Sequence, residues 1–212
     1  MLKNDAIIQV VGPSGSGKTF FVCELLSRKD LFLSPIKTTH WLMGTDEGES
    51  GLTNSVMKKL KNVKFYKGFV DNWKDLAKPG DCLVIDDLFD EANREKDFTN
   101  LFTKVARHRK ITVIFITQNL FHQGGNHRTR NLNVHYLALF RNPRDNTVID
   151  FLARQMFPNN RMFLLQVFEH VTKDKPYSFL FFDFTQDCPD ELRIRSHIFS
   201  SPVMVYKPIN SI

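Results

Sequence analysis

Apolar positions along this chain follow two rhythms, short unbroken apolar runs and apolar residues spaced by three and four. Residues 6–11 form a run rich in β-branched side chains with glycine straight after it, which predicts a buried strand. From 18 to about 28 the rhythm turns helical, with Phe21, Val22, Leu25 and Leu26 on one face. Residues 37–43 predict a second strand ending at Gly44, 45–52 a polar loop, 63–66 a brief strand, and Pro79-Gly80 a turn. Residues 82–85 read as another buried strand, closed by Asp86 and Asp87. Phe98, Leu101, Phe102 and Val105 mark a helix that ends near the basic cluster Arg107-His108-Arg109-Lys110. A strong strand at 111–117 leads into a polar loop at 118–132 containing Gly124-Gly125, and 136–140 is again a strand. Ile149, Leu152, Ala153 and Met156 mark a helix stopping at Pro158; Leu164, Phe168 and Val171 mark one more. A strand at 178–184 precedes a tail, from about 192, of short β or irregular structure. Strands alternating with helices predict an α/β fold, a mostly parallel central sheet flanked by helices. With no linker, repeat or low-complexity stretch in view, residues 1–212 are expected to form a single domain.

Composition narrows this only a little. A hydrophobic fraction of 42% is that of an ordinary globular protein. The net charge of +6 is compatible with a polyanionic partner and does not require one. Cys23, Cys82 and Cys188 are isolated, so no disulfide framework is expected and a reducing, intracellular setting is the simplest reading. Cys23 and Cys82 fall where a buried helix face and a buried strand are predicted. His122 and His127 share a loop without a third ligand at zinc spacing. The run at 6–11 is too short for a signal peptide, and no segment approaches a membrane span, so no membrane partner is expected.

The chemistry lies at the ends of the strands. Gly12-Pro13-Ser14-Gly15-Ser16-Gly17-Lys18-Thr19 is a complete Walker A pattern between a predicted strand and a predicted helix. Glycines let such a loop wrap so that backbone N–H groups converge on phosphates, and the helix aims its N-terminal dipole at the same charge. Lys18 is expected to reach the β- and γ-phosphates of ATP, and the Thr19 hydroxyl to ligate Mg²⁺. Residues 82–87 fit Walker B, with Asp86 placed to hold Mg²⁺ through water and Asp87 to polarise the attacking water. Gln118, at the end of the 111–117 strand, is the candidate sensor between γ-phosphate and that water; strand-end polarity is the plainer alternative.

Arg107 and Arg109 precede the same strand and so lie at its opposite end. A strand of this length spans roughly 23 Å, beyond the reach of an arginine. Either one of them completes a neighbouring subunit's site in trans, or both are positive charges favoured at a helix C-terminus. His127, Arg128 and Arg130 fall in a polar, basic loop. They suit tracking of a DNA backbone with little sequence preference, and equally suit a solvated loop.

Together with these motifs, Arg107-His-Arg-Lys-Ile-Thr-Val-Ile-Phe-Ile-Thr-Gln-Asn-Leu-Phe, Asn133-Val-His-Tyr-Leu-Ala-Leu-Phe-Arg-Asn-Pro-Arg-Asp and Lys175-Pro-Tyr-Ser-Phe-Leu-Phe-Phe-Asp give the chain a likeness over about residues 6–199. It resembles the FtsK–HerA superfamily of P-loop NTPases, and within it the genome-packaging ATPases of adintoviruses and Polinton (Maverick) elements. The resemblance implies a RecA-like ATPase that forms a pentameric or hexameric ring and pumps duplex DNA into a preformed capsid in an infected host cell. It carries over to Lys18, Thr19, Asp86, Asp87 and Gln118 in the roles given above. The second Walker B acid is often Glu in the superfamily and is the shorter Asp87 here. Two other readings fit the motifs: a small-molecule (nucleotide) kinase, with the 123–130 loop as a lid, and a non-hydrolysing, ATP-switched DNA-binding or assembly protein.

Overall fold

The computed structural model describes residues 1–44, 60–70, 73–88, 106–118, 120, 133–173 and 175–209. In chain order its elements are β1 (Ile7–Val11), α1 (Lys18–Ser27), β2 (Thr39–Met43), β3 (Val63–Lys67), α2 (Trp73–Leu76), β4 (Cys82–Asp86), α3 (Ala106–Arg109), β5 (Thr112–Thr117), β6 (Tyr136–Phe140), α4 (Thr147–Met156), α5 (Arg161–Thr172), β7 (Phe179–Asp183), β8 (Ile194–Ser196) and β9 (Met204–Tyr206). Short 3₁₀ turns occur at Lys29–Leu31 and Asp190–Leu192.

β1, β5 and β6 are buried along their whole length, so their side chains supply two cores at once. Ile7, Val11, Leu83, Ile85, Val113 and Phe115 face one apolar cluster; Ile8, Val10, Cys82, Val84, Ile114 and Ile116 face the other. A sheet apolar on both faces must be covered on both. α1 covers the second with Phe21, Val22 and Leu25, each such burial contributing about 1.5–3 kcal/mol. α4 and α5 cover the first with Ile149, Leu152, Leu164 and Phe168.

The described strands form one sheet in the order β3-β2-β4-β5-β1-β6-β7-β8-β9. The first six are mutually parallel. β7, β8 and β9 are each antiparallel to their neighbour. The reversal at β7 follows from its connection. A single crossover helix returns the chain to the edge where strands start, giving a parallel neighbour. Between β6 and β7 there are two helices of similar length, and the second carries the chain back to the edge where β6 ended. The strand expected at 178–184 is β7, and part of the tail beyond 192 is β8 and β9, so the sheet is parallel in one part and antiparallel in the other.

β5 lies between β1 and β4. Val11 is level with Thr117, and Ile116 with Asp86, so the ends of these three strands share one edge. Everything expected to carry chemistry at that edge leaves from them. The helix expected around 98–105, the loop at 45–52, and the loop at 118–132 apart from Gln118 and Leu120 lie outside the described residues. Among the described residues no helix is long and apolar enough to cross a membrane.

Candidate nucleotide site

The glycine-rich loop at 12–17, the candidate phosphate loop, is shaped by close approach. A Cβ on Gly12 would sit 2.6 Å from Phe140 Cβ and 2.7 Å from Ser16 Oγ, so only glycine fits beside β6. The loop closes through Ser16 N–H to Pro13 C=O at 3.2 Å. Gly17 caps α1 with φ of 97°, in the left-handed region, and its bare face packs against Tyr177. α1 begins at Lys18, so its N-terminal N–H groups belong to the loop's last residues. Lys18 Nζ donates to the carbonyls of Gly12 at 2.8 Å and Pro13 at 2.9 Å, curling the ammonium over the loop. Ser16 Oγ is buried with no hydrogen-bond partner among the described residues. A buried hydroxyl left unsatisfied costs stability, and a phosphate oxygen in the loop would satisfy it.

Asp86 ends β4 and is held by Trp41, whose indole Nε1–H donates to Oδ2 at 3.1 Å. Trp41 is fully buried on β2, two residues before Met43, the register partner of Asp86. Cys23 of α1 lies in the same neighbourhood. Burial pushes its thiol up to about 12, and the negative charge of Asp86 adds to the shift. Thr19 leaves the first turn of α1, half-buried. A hydroxyl and a carboxylate are the hard oxygen donors Mg²⁺ takes, so the residues present fit that ion.

Asp87 has φ of 53°, a conformation that Asp tolerates better than most residues. Its N–H bonds to Ile116 C=O at 3.1 Å, tying the turn to β5. Gln118 Nε2–H donates to Asp87 Oδ2 at 2.9 Å. β5, which lies between β1 and β4, therefore delivers an amide onto the Asp87 carboxylate.

Pro13, Ser14, Gly15, Ser16 and Gln118 line a cleft of about 1040 Å³. The turn after β6, with Arg141, Asn142 and Arg144, and the turn before β7, with Lys175 and Tyr177, line it as well.

No family model matches the chain, and no curated protein does. Among solved structures it is similar to the genome packaging NTPase B204 from Sulfolobus turreted icosahedral virus 2, in complex with ATP-gammaS. The match has 14% identity and a TM-score of 0.52 and covers 97% of this chain and 99% of that one. The chain has the P-loop NTPase fold. A second match is the KaiC-like protein PH0186 from Pyrococcus horikoshii OT3, with 12% identity, 96% and 90% coverage and a TM-score of 0.49.

Within this P-loop fold the expected residues divide into three groups. Residues 12–19, Asp86, Asp87 and Gln118 gather at one edge. Arg109 lies beyond the other edge, half-buried, with Nη1 3.8 Å from Asp75 on α2. That pairing suits a structural charge and leaves a contact with a neighbouring subunit open. The side chain of Arg107, and His127, Arg128 and Arg130 altogether, lie outside the described residues. Trp41, Tyr177, Arg141 and Arg144 were not expected. Arg141 carried a usable signal, since it directly follows a predicted strand and so leaves the sheet at the ligand edge. Trp41 carried none, because its role depends on the pairing of β2 with β4.

Proposed function

We propose that this chain is an ATP hydrolase that drives DNA translocation, a viral genome-packaging ATPase working as a homo-oligomeric ring at a capsid vertex. The observation that carries the hydrolase reading is the hydrogen bond between Gln118 and Asp87 beside the phosphate loop. A carboxylate and a neutral amide held together at the γ-phosphate end suit the binding of one water. Asp87 accepts its proton, the water oxygen bonds to the γ-phosphorus, and the bond to the β–γ bridging oxygen breaks to release ADP and phosphate. Lys18 balances the charge on the β- and γ-phosphates, and residues 12–17 cradle them. Thr19 and Asp86 would hold Mg²⁺, which would supply positive charge against the negative charge that develops on the phosphates.

The translocase reading is supported by likeness over nearly the full length of B204, itself a genome packaging NTPase. It also draws on the family resemblance to adintovirus and Polinton packaging ATPases. On this reading His127, Arg128 and Arg130 contact the DNA backbone, and Arg107 or Arg109 completes a neighbour's site. The chain then works as a single ATPase domain inside an infected host cell.

The test is ATPase activity measured with and without duplex DNA across protein concentration. Stimulation by DNA and a more than linear rise with concentration are expected. DNA affinity should fall steeply with salt, and neutralising Arg128 with Arg130 should flatten that slope. The basic residues of the cleft, Arg141, Arg144 and Lys175, would also suit an acceptor phosphate. Phosphoryl transfer to a nucleoside phosphate, with no response to DNA, would establish the kinase alternative instead.

A further inference from the structure

We propose that Arg141 contacts the γ-phosphate of ATP in cis, so that each subunit carries a phosphate-reading arginine of its own. The proposal rests on the ATPase reading above and assigns a residue to the same site.

Placement is the first support. β6 runs parallel to β1 with Leu139 level with Val11. Phe140 then lies against Gly12, the first residue of the phosphate loop. Arg141 therefore leaves the sheet beside Pro13. Neighbouring strands are about 4.8 Å apart, so the loop's contents are within one arginine side chain's length. The cleft agrees, because Arg141 and Asn142 line it together with Pro13–Ser16 and Gln118. Gln118 and Asn142 also share a small cavity beside Gly12, which puts this turn at the Gln118 end of the site.

Rigidity is the second support. Asn142 Oδ1 accepts the Arg144 N–H at 3.1 Å, and Asp145 Oδ1 accepts the Thr147 N–H at 2.8 Å. The backbone of Arg141 is thus fixed between a fully buried strand and a pinned turn, so its side chain always sets out from the same point beside the loop.

Charge is the third. Lys173, on the same cleft, is paired with Glu169 at 3.3 Å. None of the ion pairs among the described residues involves Arg141 or Arg144. A half-buried arginine lining one cleft with residues 13–16 offers the fork geometry that phosphate oxygens match. Arg144, exposed on the same turn, strengthens the field without the same approach to the loop.

The experiment uses the full chain with Arg141→Ala, Arg141→Lys and Lys18→Ala. Binding of ATPγS and of ADP is measured with Mg²⁺, and turnover is measured in mixtures. Arg141→Ala is expected to weaken ATPγS binding about tenfold while ADP binding is unchanged; retained ADP binding also reports an intact fold. Arg141→Lys should recover part of the loss. Mixing Arg141→Ala with Lys18→Ala subunits should restore no turnover, because every mixed site lacks one of the two residues. Restored turnover would place Arg141 in a neighbour's site, and equal weakening of ADP and ATPγS would remove it from the γ-phosphate; either result overturns the proposal. Wild-type ATPγS binding by Lys18→Ala would instead overturn the phosphate-loop reading beneath it.

Discussion

Gln118 and Asp87 meet across the ends of adjacent strands, amide to carboxylate at 2.9 Å. Thirty-one positions separate them in the chain, and the parallel pairing of β5 with β4 brings them together. Gln118→Ala should therefore lower kcat by about 10²-fold, the scale of losing one positioned polar group, while ATP affinity holds. Steady-state kinetics beside equilibrium ATPγS binding checks this. Unchanged kcat would leave Gln118 as mere strand-end polarity.

Lys18→Ala and Asp87→Asn should fail differently. The first removes the counter-charge from the phosphates, so binding and turnover both go. The second keeps the loop and removes the proton acceptor, so ATP still binds while hydrolysis falls by about 10²–10⁴-fold. Parallel loss of binding in both variants would take Asp87 out of the role of base.

Trp41→Phe keeps most of the buried volume and deletes the indole donor to Asp86. A hydrogen bond to a charged group contributes about 1.5–3 kcal/mol. The Mg²⁺ concentration for half-maximal turnover should rise about tenfold, with nucleotide binding in the absence of Mg²⁺ unaffected. A Mg²⁺ titration identical to wild type would show that Trp41 only fills space.

Gly12→Ala should destabilise through overpacking against Phe140 and Ser16, at a cost of about 1–3 kcal/mol. Gly44→Ala is the control, since no atom of the described residues lies within 4 Å of a Cβ there. For a chain of this size the first should lower Tm by about 5 °C and the second should leave it nearly fixed. Equal melting temperatures would contradict the packing of β6 on the loop.

Cys23 should be inert to thiol reagents at pH 8, because its pKa is raised from 9.0 to about 12 and the thiolate is the reactive form. A raised folded-state pKa stabilises the fold while the thiol stays protonated. The contribution is complete below the unfolded value and is lost as pH climbs from about 9 toward about 12. Pulse labelling across that range checks both statements. Rapid modification of Cys23 in the folded protein at pH 8 would refute them.

The middle of the parallel part was legible because β1 and β4 are short apolar runs followed by residues that suit a sheet edge. Asp86 and Asp87 after 82–85, and Gly12 after 6–11, mark both the strand and the side of the sheet where it stops. The direction of β7 was not legible, since hydrophobic rhythm carries no sense of up or down. The reversal becomes visible only when α4 and α5 are counted as two crossings. The site was legible wherever a residue acts through its own strand end. It was illegible at Trp41, which acts across a strand register, and at Tyr177, which lies far along the chain from the Gly17 it packs against.

β5 has a mechanical consequence. It is bonded on one side to β1 and on the other to β4, so it can neither slide nor bow alone. It is a rod of about 20 Å with Gln118 at one tip and the Arg109 turn at the other. Whatever shifts Gln118 must therefore shift β1 and β4 with it, so a change at that tip reaches the Arg109 turn through three bonded strands moving together.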